Sequence, residues 1–309
     1  MKKTAFVFPG QGSQYIGMGK DFYENFSCSK AVIDLAANVS GMDIKSLLFE
    51  ENDQINITKY TQIAMLADEL AILRAVEERG FHSDINAGLS LGEYAALVAS
   101  GVMTEEDAFR VIVKRGAYMQ EAVPTGGAMT AVMGLDNAVI ERICAETEGI
   151  VSVANYNCPG QTVITGEEDA VNRAAASLKE AGARRCMPLN VSGPFHSEML
   201  KEAGEKLAAE LDNIEIHDIA TPYITNVTAD YVTDKTQVKD LLKRQISSSV
   251  RWQQSVERMI ADGVEIFIEI GPKKSLTGFL KKIDKSLPAY HVDTVADLDA
   301  LCNELAADA

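Results

Sequence analysis

The order of apolar runs changes at Gly126-Gly127, and that change restricts the possible folds more than any other feature of this chain. Upstream, short apolar runs alternate with longer helical patterns. Residues 4–8 (Thr-Ala-Phe-Val-Phe) read as a strand stopped by Pro9-Gly10. Residues 61–78 carry Ile63, Leu66, Leu70, Leu73 and Val76 at helical spacing, with Gly80 closing the helix. Residues 85–87 give a weak strand signal, and a helix is expected over 93–100. A further helix begins after Thr104, where Thr104-x-x-Asp107 suits an N-cap. Strands alternating with helices predict a parallel sheet covered on both faces.

Downstream of Gly127 the reading is strand 128–135, helix 137–147, strand 150–154, strand 161–165, helix 167–181 and strand 184–189. This β-α-β-β-α-β order is that of a ferredoxin-like unit with an antiparallel sheet. Gly193-Pro194 marks its end, and the parallel pattern resumes, most clearly at 264–270 before Gly271-Pro272. The expected division is therefore a large α/β unit over 1–125 and 196–309, interrupted by a small unit over 126–195. Neither internal repeats nor low-complexity tracts occur.

The residues with most chemical potential lie in Gly88-Leu89-Ser90-Leu91-Gly92, a G-x-S-x-G set between a strand and a helix. Glycines there permit a tight turn that lifts Ser90 to a helix N-terminus, where free amides and the helix dipole favour developing negative charge. The Leu91 amide is the first candidate oxyanion donor; the bland alternative is a turn with a capping serine. A serine nucleophile needs a base, and the chain has four histidines, His82, His196, His217 and His291. His196 stands in Gly193-Pro-Phe-His-Ser197, a rigid turn just past the inserted unit, the kind of loop on which catalytic groups hang. Gln11, between Gly10 and Gly12 after the first strand, is placed to offer a second amide, or simply to make a tight connection. Arg115, within Val111-Ile-Val-Lys-Arg-Gly116, reads in isolation as a solvated helix arginine.

Composition narrows the partners. The 309 residues carry a net charge of −16, which argues against nucleic acid or an anionic membrane surface. No apolar run approaches the ~20 residues of a membrane span, and the five apolar residues after Lys2-Lys3 are too few for a signal peptide's core of about 7–15. Five scattered cysteines without a C-x-x-C pair read as reduced thiols of a cytoplasmic protein, and no metal site is expected. A monomer is the default expectation.

Several motifs, in order along nearly the whole chain, carry a resemblance: Phe8-Pro-Gly-Gln-Gly-Ser-Gln14, Gly88-Leu-Ser-Leu-Gly-Glu-Tyr94, Lys114-Arg-Gly116, Asn155-Tyr-Asn-Cys-Pro-Gly-Gln161, Gly193-Pro-Phe-His-Ser197, Arg244-Gln245 with Val250-Arg-Trp252, and Glu269-Ile-Gly-Pro272. Together they resemble the malonyl-CoA:acyl-carrier-protein transacylases of fatty-acid synthesis. The resemblance implies an α/β-hydrolase-like large domain with a ferredoxin-like insertion. It implies Ser90 as nucleophile, His196 as base, Gln11 and Leu91 as oxyanion amides, and Arg115 as the grip on a malonyl carboxylate. The main-chain carbonyl of Gln245 would orient the histidine in place of a third acid. No cofactor is implied; the substrates are malonyl-CoA and a phosphopantetheinylated acyl carrier protein.

Two positions depart from the family pattern. Leu89 stands where histidine is common, which implies a changed polarity beside the nucleophile, and Ser249 stands where proline is common. Carrier proteins of this kind are expected to be acidic, so docking to so acidic a chain needs a local basic patch. Residues 271–285 offer Lys273, Lys274, Lys281, Lys282 and Lys285 against Asp284 alone. The rival readings are a serine esterase or thioesterase, which gives Arg115 no use, and a non-catalytic acyl-carrier or CoA-binding module.

Overall fold

The computed structural model describes residues 2–191 and 193–307. A five-stranded, wholly parallel sheet runs in the order β7-β2-β1-β8-β9, built from β1 (Thr4–Phe8), β2 (Ile85–Gly88), β7 (Tyr223–Ile224), β8 (Ile266–Ile270) and β9 (Ala289–Val292). Alternation along β1 sends Phe6 and Phe8 to one face and Ala5 and Val7 to the other. The Phe face packs under the helices Thr58–Glu78, Gly92–Ala99 and Glu105–Ala122, and the Ala/Val face under Trp252–Ala261 and Ser275–Ile283. Both faces of the sheet are thus covered, as a parallel sheet requires.

The second sheet is antiparallel, in the order β4-β5-β3-β6, with β3 (Gly127–Met133), β4 (Val151–Cys158), β5 (Gln161–Glu167) and β6 (Arg185–Pro188). With the helices Asn137–Glu146 and Glu168–Glu180 this is the ferredoxin-like arrangement expected from the pattern. Those helices cover one face, around Val132, Ile164 and Leu178. The other face, with Met129, Ala131 and Val163, joins the main core.

Where an element is expected, the observed one differs mostly at its ends. The helix read over 61–78 starts at Thr58, and the strand read over 150–154 continues to Cys158 through two register shifts. That continuation is held from outside the small sheet: Tyr156 N donates to Val250 O at 2.9 Å and Val250 N to Ala154 O at 2.7 Å. The pairing ties a segment of the large unit to β4. Helices Lys20–Asn25, Ser27–Ser40 and Ile44–Phe49 escaped the sequence reading, and β7 is only two residues long. Thr104 does cap its helix, its Oγ1 accepting from Asp107 N at 3.1 Å. All five cysteines are free, and among the described residues no helix is long and apolar enough to cross a membrane.

Candidate active site

Ser90 follows β2 in a left-handed turn with φ 56°, a conformation that costs an L-residue roughly 1–3 kcal/mol and persists only when its surroundings hold it. Three bonds do so. Leu89 N donates to Phe8 O at 2.9 Å, Ser90 N to Asn226 Oδ1 at 2.6 Å, and Asn226 Nδ2 to Gly88 O at 2.6 Å. The flanking glycines are steric necessities: a Cβ on Gly88 would lie 2.0 Å from the Gly92 carbonyl carbon, and one on Gly92 would lie 2.3 Å from Phe8 O. Ser90 thereby stands just before the helix Gly92–Ala99, with its Oγ within hydrogen-bond reach of His196 and Arg115.

His196, also at positive φ (59°), is buried and reaches Ser90 Oγ with Nε2 at 2.8 Å. Its Nδ1 lies 2.9 Å from the main-chain carbonyl of Gln245. A carbonyl only accepts, so Nδ1 carries the proton and Nε2 is free to accept from the serine hydroxyl. Burial, and next the charge of Arg115, push the imidazole pKa down to about 4, against a smaller opposing pull from main-chain groups of Gln245 and Ser248.

Arg115 is not a solvated helix arginine: it is fully buried. Gly116 explains how its helix comes near enough, since a Cβ there would meet Lys59 Cα at 3.0 Å on the neighbouring helix Thr58–Glu78. Nη1 donates to Gln62 Oε1 at 2.7 Å, and Nη2 to Ser90 Oγ and Gln245 Oε1, both at 3.1 Å. Nε has no partner, and among the described residues no carboxylate forms an ion pair with the guanidinium. Burial lowers its pKa, with Tyr94 and Glu93 opposing, but an arginine stays charged in proteins. The site therefore holds a cation whose hydrogen bonds all go to neutral oxygens.

The two oxyanion candidates sit on the same opening. Among the described residues, neither the Leu91 nor the Gln11 main-chain N–H donates to a protein acceptor. The Gln11 side chain is anchored elsewhere, donating to Thr58 Oγ1 at 3.0 Å. A cavity of about 270 Å³ opens in front of Ser90, His196 and Arg115, with Gln11 and Leu91 on one wall and Met129, Asn155 and Val163 of the small sheet on another. The site thus lies between the two sheets. Leu89 lines this cavity, an apolar group beside the nucleophile. Ser249 instead donates to Val153 O at 2.6 Å and helps seat its loop on β4. His82 is exposed, His217 is beside Glu215, and His291 is in β9; none lines this cavity.

Three residues of the site have no role assigned from the sequence, although Glu93 stands in the motif at 88–94. Gln62 receives Arg115, Asn226 holds the Ser90 turn, and Glu93 accepts from Gln245 and Asn226. Gln62 left a trace, a polar residue at a helix position that the apolar spacing buries. Asn226 left none, because it follows a two-residue strand.

The acyl transferase domain family matches residues 5–298. The malonyl CoA-acyl carrier protein transacylase of Bacillus subtilis is 45% identical over 297 residues, covering 94% of each chain. Its counterpart from Haemophilus influenzae is 43% identical, over 97% of this chain and 98% of that one. Among solved structures, MCAT from Streptococcus pneumoniae superposes with a TM-score of 0.95 at 47% identity, covering 98% of this chain and 100% of that one. A malonyl-transacylase solved in complex with its type II PKS acyl-carrier protein gives 0.95 at 41%, covering 98% and 99%. This chain belongs to the acyl transferase domain family, in the group of the malonyl CoA-acyl carrier protein transacylases.

Proposed function

We propose that the chain moves a malonyl group from malonyl-CoA to the phosphopantetheine thiol of an acyl carrier protein, through a malonyl ester on Ser90. His196 Nε2 takes the Ser90 proton as Oγ attacks the thioester carbonyl. The resulting oxyanion faces the amides of Gln11 and Leu91. Coenzyme A leaves as a thiol with the proton that His196 returns. The carrier thiol then gives its proton to His196, its sulfur attacks the ester, and Ser90 recovers its hydrogen. One thioester is exchanged for another, so the balance calls for no metal or redox cofactor. Gln245 O holds the ring in the tautomer both halves require. Residues 1–125 with 196–309 serve as the catalytic unit, and 126–195 as the unit that closes over the acyl group.

The observation that carries this reading is Arg115. Its buried guanidinium, without a carboxylate in contact, lies one hydrogen bond from the nucleophile, where a malonyl carboxylate would make the charge-assisted, two-pronged pair that arginine favours. A simple esterase or thioesterase would have no use for it. Brief mixing with malonyl-CoA followed by peptide mass spectrometry should find one malonyl group on Ser90. Adding phosphopantetheinylated carrier protein should move that group to the carrier. Free malonate in place of malonyl-carrier would make the protein a hydrolase, and an unmodified Ser90 would leave a binding module.

A further inference from the structure

We propose that Glu93 is a positioning residue of this site: a counter-ion held one amide away from Arg115, which fixes the Gln245 side chain and sets how strongly Arg115 draws the substrate's carboxylate. The inference rests on Arg115 being the malonyl grip. Glu93 is fully buried in the first turn of the helix Gly92–Ala99; burial raises its carboxyl pKa, while the hydrogen bonds from Gln245 and Asn226 and the charge of Arg115 pull toward the ionised form. Its Oε2 accepts from Gln245 Nε2 at 2.7 Å and from Asn226 N at 3.1 Å. Each donor belongs to a residue that holds the reacting groups. Asn226 receives Ser90 N on its Oδ1, and Gln245 receives His196 Nδ1 on its main-chain carbonyl. The Gln245 amide also donates to Ser90 O at 2.9 Å and presents Oε1 to Arg115 Nη2 at 3.1 Å. One carboxylate oxygen is therefore the common anchor of nucleophile, base and guanidinium.

The carboxylate also decides the sense of the amide. Turned over, Gln245 would set its NH₂ against the guanidinium and its carbonyl against Glu93, two repulsive contacts in place of two attractive ones. The spacing matters as much as the orientation. A carboxylate in direct contact would close the guanidinium to any ligand, whereas Glu93 balances the charge across one amide and leaves the fork of Arg115 for the substrate. A neutral isostere at this position keeps the acceptor oxygen for Gln245 and Asn226 and removes only the charge.

Two variants separate charge from scaffolding. In a Ser90→Ala background, which binds thioesters without being acylated, Glu93→Gln should tighten malonyl-CoA by about ten- to twentyfold, the range for unit charges about 10 Å apart in a protein interior of effective dielectric about 20. Acetyl-CoA, which has no free carboxylate, should bind as before. With Ser90 present, Glu93→Gln should lower kcat for both acyl groups, because the imidazolium formed at His196 then has only Arg115 beside it. Glu93→Asp keeps the charge but withdraws the oxygen by one methylene, so it should lower kcat for both groups and leave the malonyl-to-acetyl binding ratio alone. A Glu93→Gln protein that binds both thioesters in the wild-type ratio would overturn the proposal, as would failure of both variants to fold. Malonyl loading of wild-type Ser90, measured alongside, tests the underlying reading separately.

Discussion

A guanidinium withdrawn wholly from water is costly unless another charge answers it, and the hydrogen bonds of Arg115 go to a glutamine, a serine and a second glutamine, with the Tyr94 ring 5.5 Å away and the Glu93 carboxylate one amide removed. Such a residue awaits an anion. Removing one partner of a buried pair typically costs about 3–5 kcal/mol, or about two to nearly four powers of ten. Arg115→Ala should therefore depress malonyl transfer by that factor while largely sparing acetyl transfer; equal losses for both acyl groups would end the assignment. The same charge acts on His196, whose pKa of about 4 keeps the ring neutral far below ordinary histidine values. Plots of kcat/KM against pH should stay flat to about pH 5, with the acid limb near 4. In Arg115→Ala, assayed with acetyl-CoA, the limb should move up, because one of its two lowering causes is gone. Stability carries the matching sign. The unfolded imidazole binds its proton near 6.5 and the folded one only near 4, so between those values acid favours the unfolded chain, by about 3 kcal/mol when complete. Comparing the pH dependence of Tm with that of His196→Asn would show the difference.

At the scale of single elements, the turn between β2 and the helix Gly92–Ala99 is where backbone sterics govern chemistry. Gly92 is pressed against Phe8 O of the central strand, so Gly92→Ala must displace main chain, not a flexible side chain. Loss of several kcal/mol and of Ser90 acylation is expected together, read by thermal melting and by malonyl incorporation. Gly278 gives the contrast. It lies within the helix Ser275–Ile283 with open space where a Cβ would stand. Gly278→Ala should add about 0.5–1 kcal/mol, a rise of roughly 1–4 °C in Tm for a chain of this size, with transfer unchanged. That helix also carries Ser275, Leu276 and Phe279 into the cavity wall. Its N-terminus is held by Glu269, which accepts from Leu276 N at 2.9 Å and Thr277 N at 2.7 Å. Strand β8 and the cavity wall are thus one mechanical piece.

For the whole molecule the governing quantity is the net charge of −16. It opposes an acidic carrier at long range, so approach must be won locally. The lysines of 271–285 lie in and beside the helix that lines the cavity, Lys281 and Lys282 in its last turn, and all five are exposed. Lys273 already braces the Gln11 loop through Gly12 O at 3.3 Å, and Lys282 bonds Gln161 at 2.9 Å. The sharper test is therefore Lys274→Glu with Lys281→Glu. It should raise KM for the carrier protein several-fold, more so at low salt, and leave KM for malonyl-CoA where it was. An unchanged carrier KM would move the docking surface elsewhere.

Local order decided much of what could be read from the chain alone. Alternation and helical spacing placed β1 and the helix after Thr104, and the run of elements after Gly127 marked out the small antiparallel sheet. The Gly-flanked Ser90 announced itself because a tight turn needs those glycines whatever surrounds it. Long-range partnership left no such mark. Arg115 looks like a solvated arginine until Gly116 lets its helix approach Thr58–Glu78 and Gln62. Asn226 and Glu93 gain their importance only when segments more than 130 residues apart meet at the Ser90 turn. Backbone propensity is a property of neighbours in sequence. The environment of a buried charge is a property of neighbours in space, and only the folded chain chooses those.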